Sequence, residues 1–258
     1  MRRLELSPRW RPLPGVLALA AVLLALASLA ALVALAPRDE RSTPRPRVEA
    51  APQTTAATAA MSTVARSNIP SIPVFDSPAA SAPRMALSSP NEDGAVRLFL
   101  VKEQRDGWLQ VLLPVRPNGS KGWIRESDVT LSSHDYRVRV ELGAHRITVW
   151  NGTEVVLEQP VGVGRANAPT PSGEYFITEL LRPPDPTGAY GPYAFGLSGF
   201  SDVFQSFAGG PGTLGLHGTN DPAGLGTDVS SGCIRLSNES ITKLAYELPL
   251  GAPVEVVA

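Results

Sequence analysis

From residue 96 onward, apolar side chains recur at every second position, and that period is the tightest limit on what this chain can fold into. It runs through Val96-Arg97-Leu98-Phe99-Leu100-Val101 and Trp108-Leu109-Gln110-Val111-Leu112-Leu113. It returns in Tyr136-Arg137-Val138-Arg139-Val140-Glu141-Leu142, Arg146-Ile147-Thr148-Val149-Trp150 and Glu154-Val155-Val156-Leu157-Glu158. A side-chain period of two sets one row of residues on each face of a strand. Turn signals at Arg116-Pro117-Asn118-Gly119 and Asn151-Gly152 separate the runs. Further strands are expected at Gly122-Trp123-Ile124, Glu174-Tyr175-Phe176-Ile177 and Pro253-Val254-Glu255-Val256-Val257. The clear helical stretch is Glu239 to Glu247, with Ser237 or Asn238 as its cap. The fold class is therefore mainly β, with a helix near the end.

Composition narrows the function. A formal net charge of -1 and a pI of about 6.3 give no basic field for nucleic acid. The single cysteine excludes a Cys-x-x-Cys pair, so neither a structural zinc site nor any other metal or cofactor is expected. With 25 prolines and 23 glycines, the chain is richer in turn formers than a lone compact domain needs.

The amino-terminal part divides by composition. Residues 1–14 carry Arg2, Arg3, Arg9 and Arg11 against Glu5. Residues 15–36, GVLALAAVLLALASLAALVALA, hold Ser28 as their one polar side chain. As a helix this run would span roughly 30 Å, the thickness of a bilayer core. It exceeds the ~7–15 apolar residues of a cleaved signal. The reading is a membrane anchor with the arginines held in the cytoplasm, so all that follows is extracytoplasmic. Residues 37–60 lack aromatics and periodicity and read as a disordered linker. Residues 61–132 read as a small β domain, its Ser67–Pro90 portion loop-rich, and residues 135–258 as a second β-rich domain.

The chemistry concentrates between Leu216 and Asn238, in LHGTNDPAGLGTDVSSGCIRLSN. Cys233 has no cysteine partner, and an exported chain seldom keeps a free thiol without a use. A free thiol titrates near ~8.5, so it needs a base at neutral pH. His217, one of three histidines, is the best placed. Gly232 permits close backbone approach, so amides of Gly232 and Cys233 would face a developing oxyanion. The helix beyond Cys233 would place partial positive charge nearby and lower the thiol pKa. Arg235 either binds a substrate carboxylate or holds the loop through a salt bridge. Tyr190 and Tyr193, in a proline-rich segment, either contact substrate or pack. His134, in the interdomain linker, and His145, on a strand, are expected to be exposed and inert.

Three separated blocks carry a family resemblance. Gly164-x5-Thr170-Pro171-Ser172-Gly173, Leu216-His217-Gly218-Thr219-Asn220 and Ser230-Ser231-Gly232-Cys233-Ile234-Arg235-Leu236 fall in the order and spacing of L,D-transpeptidases of the YkuD type. The resemblance implies an enzyme that exchanges acyl groups on peptidoglycan stem peptides, which supply both donor and acceptor. It implies Cys233 as nucleophile, His217 as base and the Gly218 carbonyl as the group orienting the imidazole. The product would be a 3→3 cross-link, or attachment of another acceptor amine, with release of D-Ala. Ser230 matches the family's small hydroxyl residue. Ser231 stands where many members have histidine, which bears on tuning of the thiol and on acceptor preference. An L,D-carboxypeptidase using water, or a non-catalytic wall-binding protein, are the alternatives. Separately, Asp106-Gly107-Trp108-Leu109-Gln110-Val111 and Gly122-Trp123-Ile124 resemble bacterial SH3-like domains, with Trp108 and Trp123 either packing or stacking on a ligand.

Overall fold

The computed structural model describes residues 61–206 and 210–258. The expected span 15–36, its basic leader and the 37–60 linker lie outside the described residues. Among the described residues no helix is long and apolar enough to cross a membrane.

The alternating runs fold as strands. The first group is β1 (Ser62–Ser67), β2 (Ser71–Val74), β3 (Met85–Ser88), β4 (Leu98–Arg105), β5 (Trp108–Leu112), β6 (Lys121–Arg125) and β7 (Val129–His134). A five-stranded sheet has the order β6-β5-β4-β1-β7, and β2 pairs with β3 beside it. Ala65, Ile72, Val74, Phe99, Leu109, Val111 and Ile124 form the fully buried centre of this group. Each such large apolar side chain contributes about 1.5–3 kcal/mol relative to exposure. The segment Ser67–Pro90, expected as loop, carries β2 and β3. There Ile72 and Val74 alternate into the core over two residues only, too short a run for periodicity to reveal.

The second group comprises β8 (Tyr136–Glu141), β9 (Arg146–Asn151), β10 (Glu154–Pro160), β11 (Val163–Gly164), β12 (Gly173–Leu181), β13 (Ala194–Phe200), β14 (Thr213–His217), β15 (Asp228–Ser230) and β16 (Ile234–Arg235). The helix α1 (Asn238–Glu247) and strand β17 (Pro253–Val257) follow. An eight-stranded sheet has the order β10-β9-β8-β17-β12-β13-β14-β16, with β11 and β15 as a separate parallel pair. Most neighbours are antiparallel, but β14–β16 and β8–β17 run parallel. The first of these parallel pairs positions the site.

Alternation sorts the residues of that pair. Leu214, Leu216, Ile234 and Leu236 point to the core, where Ile241 and Leu244 of α1 pack against the same cluster. Ser237 caps the helix, its hydroxyl accepting the Ser240 amide at 3.2 Å. The residues between the core positions, Gly215, His217, Cys233 and Arg235, fall on the opposite face. The two groups of strands also touch. Leu100, Leu112 and Phe176 share a small apolar cluster, and Lys102 pairs with Glu174.

Candidate active site

β14 and β16 are in register with His217 opposite Arg235 and Leu216 opposite Ile234. Cys233 enters β16 beside Gly215, whose backbone N–H faces the thiol. Cysteine, histidine and arginine thus share one sheet face and line one cavity of about 250 Å³, with Tyr190, Ser201, Phe204, Thr213, Ser230 and Ser231 around them.

The imidazole of His217 is buried, and its Nδ1 lies 2.6 Å from the Gly218 carbonyl oxygen. A carbonyl only accepts, so Nδ1 carries the hydrogen and Nε2 keeps its lone pair. Burial, then the nearby Arg235 charge, hold the imidazole pKa down at about 4 despite that hydrogen bond. The Tyr190 ring covers the imidazole at a centroid distance of 4.7 Å, adding to its desolvation. A Cβ at Gly218 would stand 2.2 Å from Asn238 Oδ1 and 3.0 Å from Gly191 Cα, so any other residue would displace Asn238. That same oxygen accepts the Thr219 amide at 2.8 Å, fixing the chain just after the histidine.

The Cys233 residue is half-buried, and packing around the sulfur pushes its thiol pKa up, against smaller opposing effects of the Gly215 amide and Arg235. The expected lowering by the helix does not occur. β16 intervenes, so α1 starts at Asn238 and desolvation dominates. The loop before the thiol is held internally. Ser230 Oγ donates to the Cys233 carbonyl at 2.6 Å and accepts the Gly232 amide at 3.0 Å. The Gly232 amide, expected to face an oxyanion, is therefore already engaged by Ser230. Gly232 sits at φ +119°, a backbone region closed to other residues.

Thr170 explains why the first block travels with the cysteine block. Its hydroxyl accepts the Gly164 amide at 2.9 Å and donates to the Gly232 carbonyl at 2.9 Å, tying β11 to the nucleophile loop. Sequence reading quoted Thr170 without giving it work, and Asn238 only as a cap candidate. Their tasks are hydrogen bonds to backbone far away in sequence, which no local pattern encodes.

The remaining expected residues divide. Ser231 receives the Arg165 guanidinium at 3.3 Å on the rim of the site. Arg235 forms no ion pair among the described residues, and its Nε is buried without a partner, so the salt-bridge alternative is not realised. Tyr193 is not among the residues lining the cavity. Its hydroxyl meets that of Tyr246 on α1 at 3.2 Å, and Arg182 lies over its ring, so packing prevails there. His145 is not exposed on a strand. It sits in the turn before β9 at φ +48° and meets Asp228 at 2.8 Å. His134 ends β7 rather than lying in a linker, and its half-buried ring lies beside Tyr136 at a centroid distance of 6.4 Å.

Fold and cavity together define a β-sheet protein with a histidine at the end of β14 and a cysteine directly before the adjacent parallel strand β16, the histidine oriented through a backbone carbonyl. Residues 135–256 match the family model of the L,D-transpeptidase catalytic domain, YkuD. The YkuD protein of Bacillus subtilis is 35% identical over 121 residues, a match covering 47% of this chain and 65% of that protein. The ErfK/SrfK protein of Salmonella typhimurium is 32% identical over 122 residues, covering 41% of this chain and 38% of the other. The chain thus spans less than two thirds of the length of either relative. Among solved structures, L,D-transpeptidase 3 of Mycobacterium tuberculosis is 18% identical, with a TM-score of 0.42 and coverage of 56% of this chain and 76% of that one.

Proposed function

We propose that this chain is a peptidoglycan L,D-transpeptidase with Cys233 as its nucleophile. The observation that carries the reading is the hydrogen bond from His217 Nδ1 to the Gly218 carbonyl. It leaves Nε2 as an acceptor on the sheet face that Cys233 shares. In the forward half-reaction Nε2 takes the thiol proton as Sγ attacks the carbonyl between an L-centre and the terminal D-Ala. The C–N bond breaks, the imidazolium returns a proton to the departing amine, and a thioester remains. An amine of a second stem then attacks the thioester, gives its proton to Nε2 and restores the thiol. The product is a 3→3 cross-link.

Other groups take supporting roles. With the Gly232 amide occupied by Ser230, the Cys233 amide is the backbone donor for the tetrahedral oxyanion. Arg235, unpaired among the described residues, faces the cavity and binds a stem carboxylate. Tyr190 packs on His217 and excludes water from the proton path. Ser231, in the position where histidine is common, leaves this pair intact. The expected anchor at 15–36 would keep this chemistry outside the cytoplasm, and the 61–132 domain is assigned an SH3-like barrel preceding the catalytic domain at 135–258. Support for the anchor comes from the sequence pattern.

The test incubates the full chain with disaccharide tetrapeptide, beside Cys233→Ala, and follows intact protein mass and released products. Dimer lacking one D-Ala, absent in the variant, is the expected result. Tripeptide monomer without dimer would reassign the reaction to hydrolysis. No thioester and no turnover in folded protein would leave a wall-binding role.

A further inference from the structure

The turn between β5 and β6 belongs to the small sheet, yet its side chains reach the wall of the Cys233 cavity. Arg116 Nη1 donates to the Ser201 carbonyl at 2.7 Å. Arg116 Nη2 donates to the carbonyls of Phe204 at 2.9 Å and Pro211 at 3.1 Å. Two residues on, Asn118 makes a two-way clasp on the last residue of β13. Its Nδ2 donates to the Phe200 carbonyl at 2.8 Å, and its Oδ1 accepts the Phe200 amide at 2.8 Å. The guanidinium also lies 4.9 Å from the centroid of the Phe200 ring.

These contacts converge on the connection from β13 to β14. Its ends are closed by the Ser201 amide on the Gly212 carbonyl at 2.9 Å. Ser201, Phe204 and Gly212 are the part of the cavity wall that this connection supplies, next to Thr213 and Leu214 of β14. Arg116 has no acidic partner among the described residues. Its fork is spent on loop carbonyls, which would otherwise require water. The turn that carries it is itself braced, with Ser120 Oγ donating to the Pro117 carbonyl at 2.7 Å and the Leu113 amide to the Ser120 carbonyl at 2.8 Å.

We propose that this turn is a working part of the active site. Arg116 and Asn118 are positioning residues that hold residues 200–204 and Pro211, at the two ends of the connection, where they shape the wall that receives the donor peptide. The small sheet then acts on catalysis from within the molecule, whatever else it binds. A lysine cannot replace the arginine, because an ammonium on a flexible stem lacks the planar fork that reaches three carbonyls at once. The proposal rests on Cys233 as the nucleophile, and the test separates the two.

The experiment uses the full chain as wild type, Arg116→Ala, Arg116→Lys, Asn118→Ala and Cys233→Ala. Hydrogen exchange read by mass spectrometry follows the 200–213 segment against β8 and β9 as an internal reference. In parallel, the rate of thioester formation is measured against tetrapeptide concentration, and Cys233 alkylation by iodoacetamide is measured without substrate. In Arg116→Ala and Asn118→Ala we expect at least tenfold faster exchange confined to 200–213. We also expect at least a tenfold loss of acylation efficiency through the half-saturating concentration, with alkylation within about twofold of wild type. Arg116→Lys should recover little of either. Unchanged exchange at 200–213 would overturn the proposal whether or not the wild type acylates. Faster exchange with unchanged acylation would also overturn it, as would loosening that reaches β8 and β9. If wild type forms no thioester, the transpeptidase reading fails, and exchange at 200–213 still decides whether the turn holds the loop.

Discussion

Replacing Thr170 by valine removes one hydroxyl and keeps the side-chain shape, so it isolates the tie between β11 and the nucleophile loop. Thr170 is 3% exposed. Its hydroxyl accepts the Gly164 amide and donates to the Gly232 carbonyl, each at 2.9 Å. Valine leaves both backbone groups without a partner. An orphaned buried polar group costs about 1–3 kcal/mol. Gly232 is buried and Gly164 only partly, so the sum should fall near 2–4 kcal/mol. For a unit of this size that is a fall in melting midpoint on the order of 10 °C. Serine restores the hydroxyl and loses only a buried methyl, about 1 kcal/mol. Urea unfolding followed by tryptophan fluorescence measures the stability, and intact-mass acylation of Cys233 measures the loop, with a loss of at least tenfold expected for valine. A Thr170→Val protein within about 0.5 kcal/mol of wild type would refute the reasoning. So would a Thr170→Ser protein as damaged as the valine variant, since that would put the effect in the methyl.

Two other expectations follow from buried titratable groups. With His217 held at about 4, the acid limb of acylation efficiency should lie near pH 4, where protonation removes the base, and activity should be flat through pH 6.5. A pH–rate profile with its acid limb between 6 and 7 would place a different or solvated base in the reaction. Burial raises the Glu179 carboxyl above its ordinary value, against the opposing Asn91 hydrogen bond. The folded state therefore binds that proton more tightly than the unfolded one, and stability falls as pH rises through the window above the ordinary glutamate value. Glu179→Gln should be more stable than wild type at pH 8, with a gap that narrows toward pH 5. A gap that is constant with pH would show that ionisation of Glu179 is not its source.

What could be read from the sequence was whatever has a period or a local signature. The alternation at Val138–Val140 and Val254–Val256 announced strands, and Ser237 announced a helix start. Cys233 and His217 stood out because the chain is poor in both residue types. The hidden part is long-range. Asn118 looks like any turn asparagine until Phe200, 82 positions away, is brought to it. Tyr193 and Tyr190 sit three residues apart in the same proline-rich segment, and sequence could not say that one packs on Tyr246 while the other covers His217. The pKa directions were hidden too. A helix beyond the cysteine suggested a lowered thiol, but the short β16 separates them and burial decides the sign.

That sign bears on how the pair works. With the imidazole held at about 4 and the thiol pushed above its ordinary value, both groups are neutral at pH 7. A resting thiolate–imidazolium pair would have to overcome the desolvation that produced both shifts. In the proposed mechanism the proton would therefore move as the carbon–sulfur bond forms, when charge passes onto the carbonyl oxygen and the Cys233 amide can receive it. A neutral thiol is also a poor target for oxidants, which attack the thiolate. Burial thus suppresses the reactivity of the unpaired cysteine, and under the proposed function its activation would wait for a donor peptide in the cavity. On that proposal the rate would be set by how well the cavity wall holds the carbonyl over the sulfur.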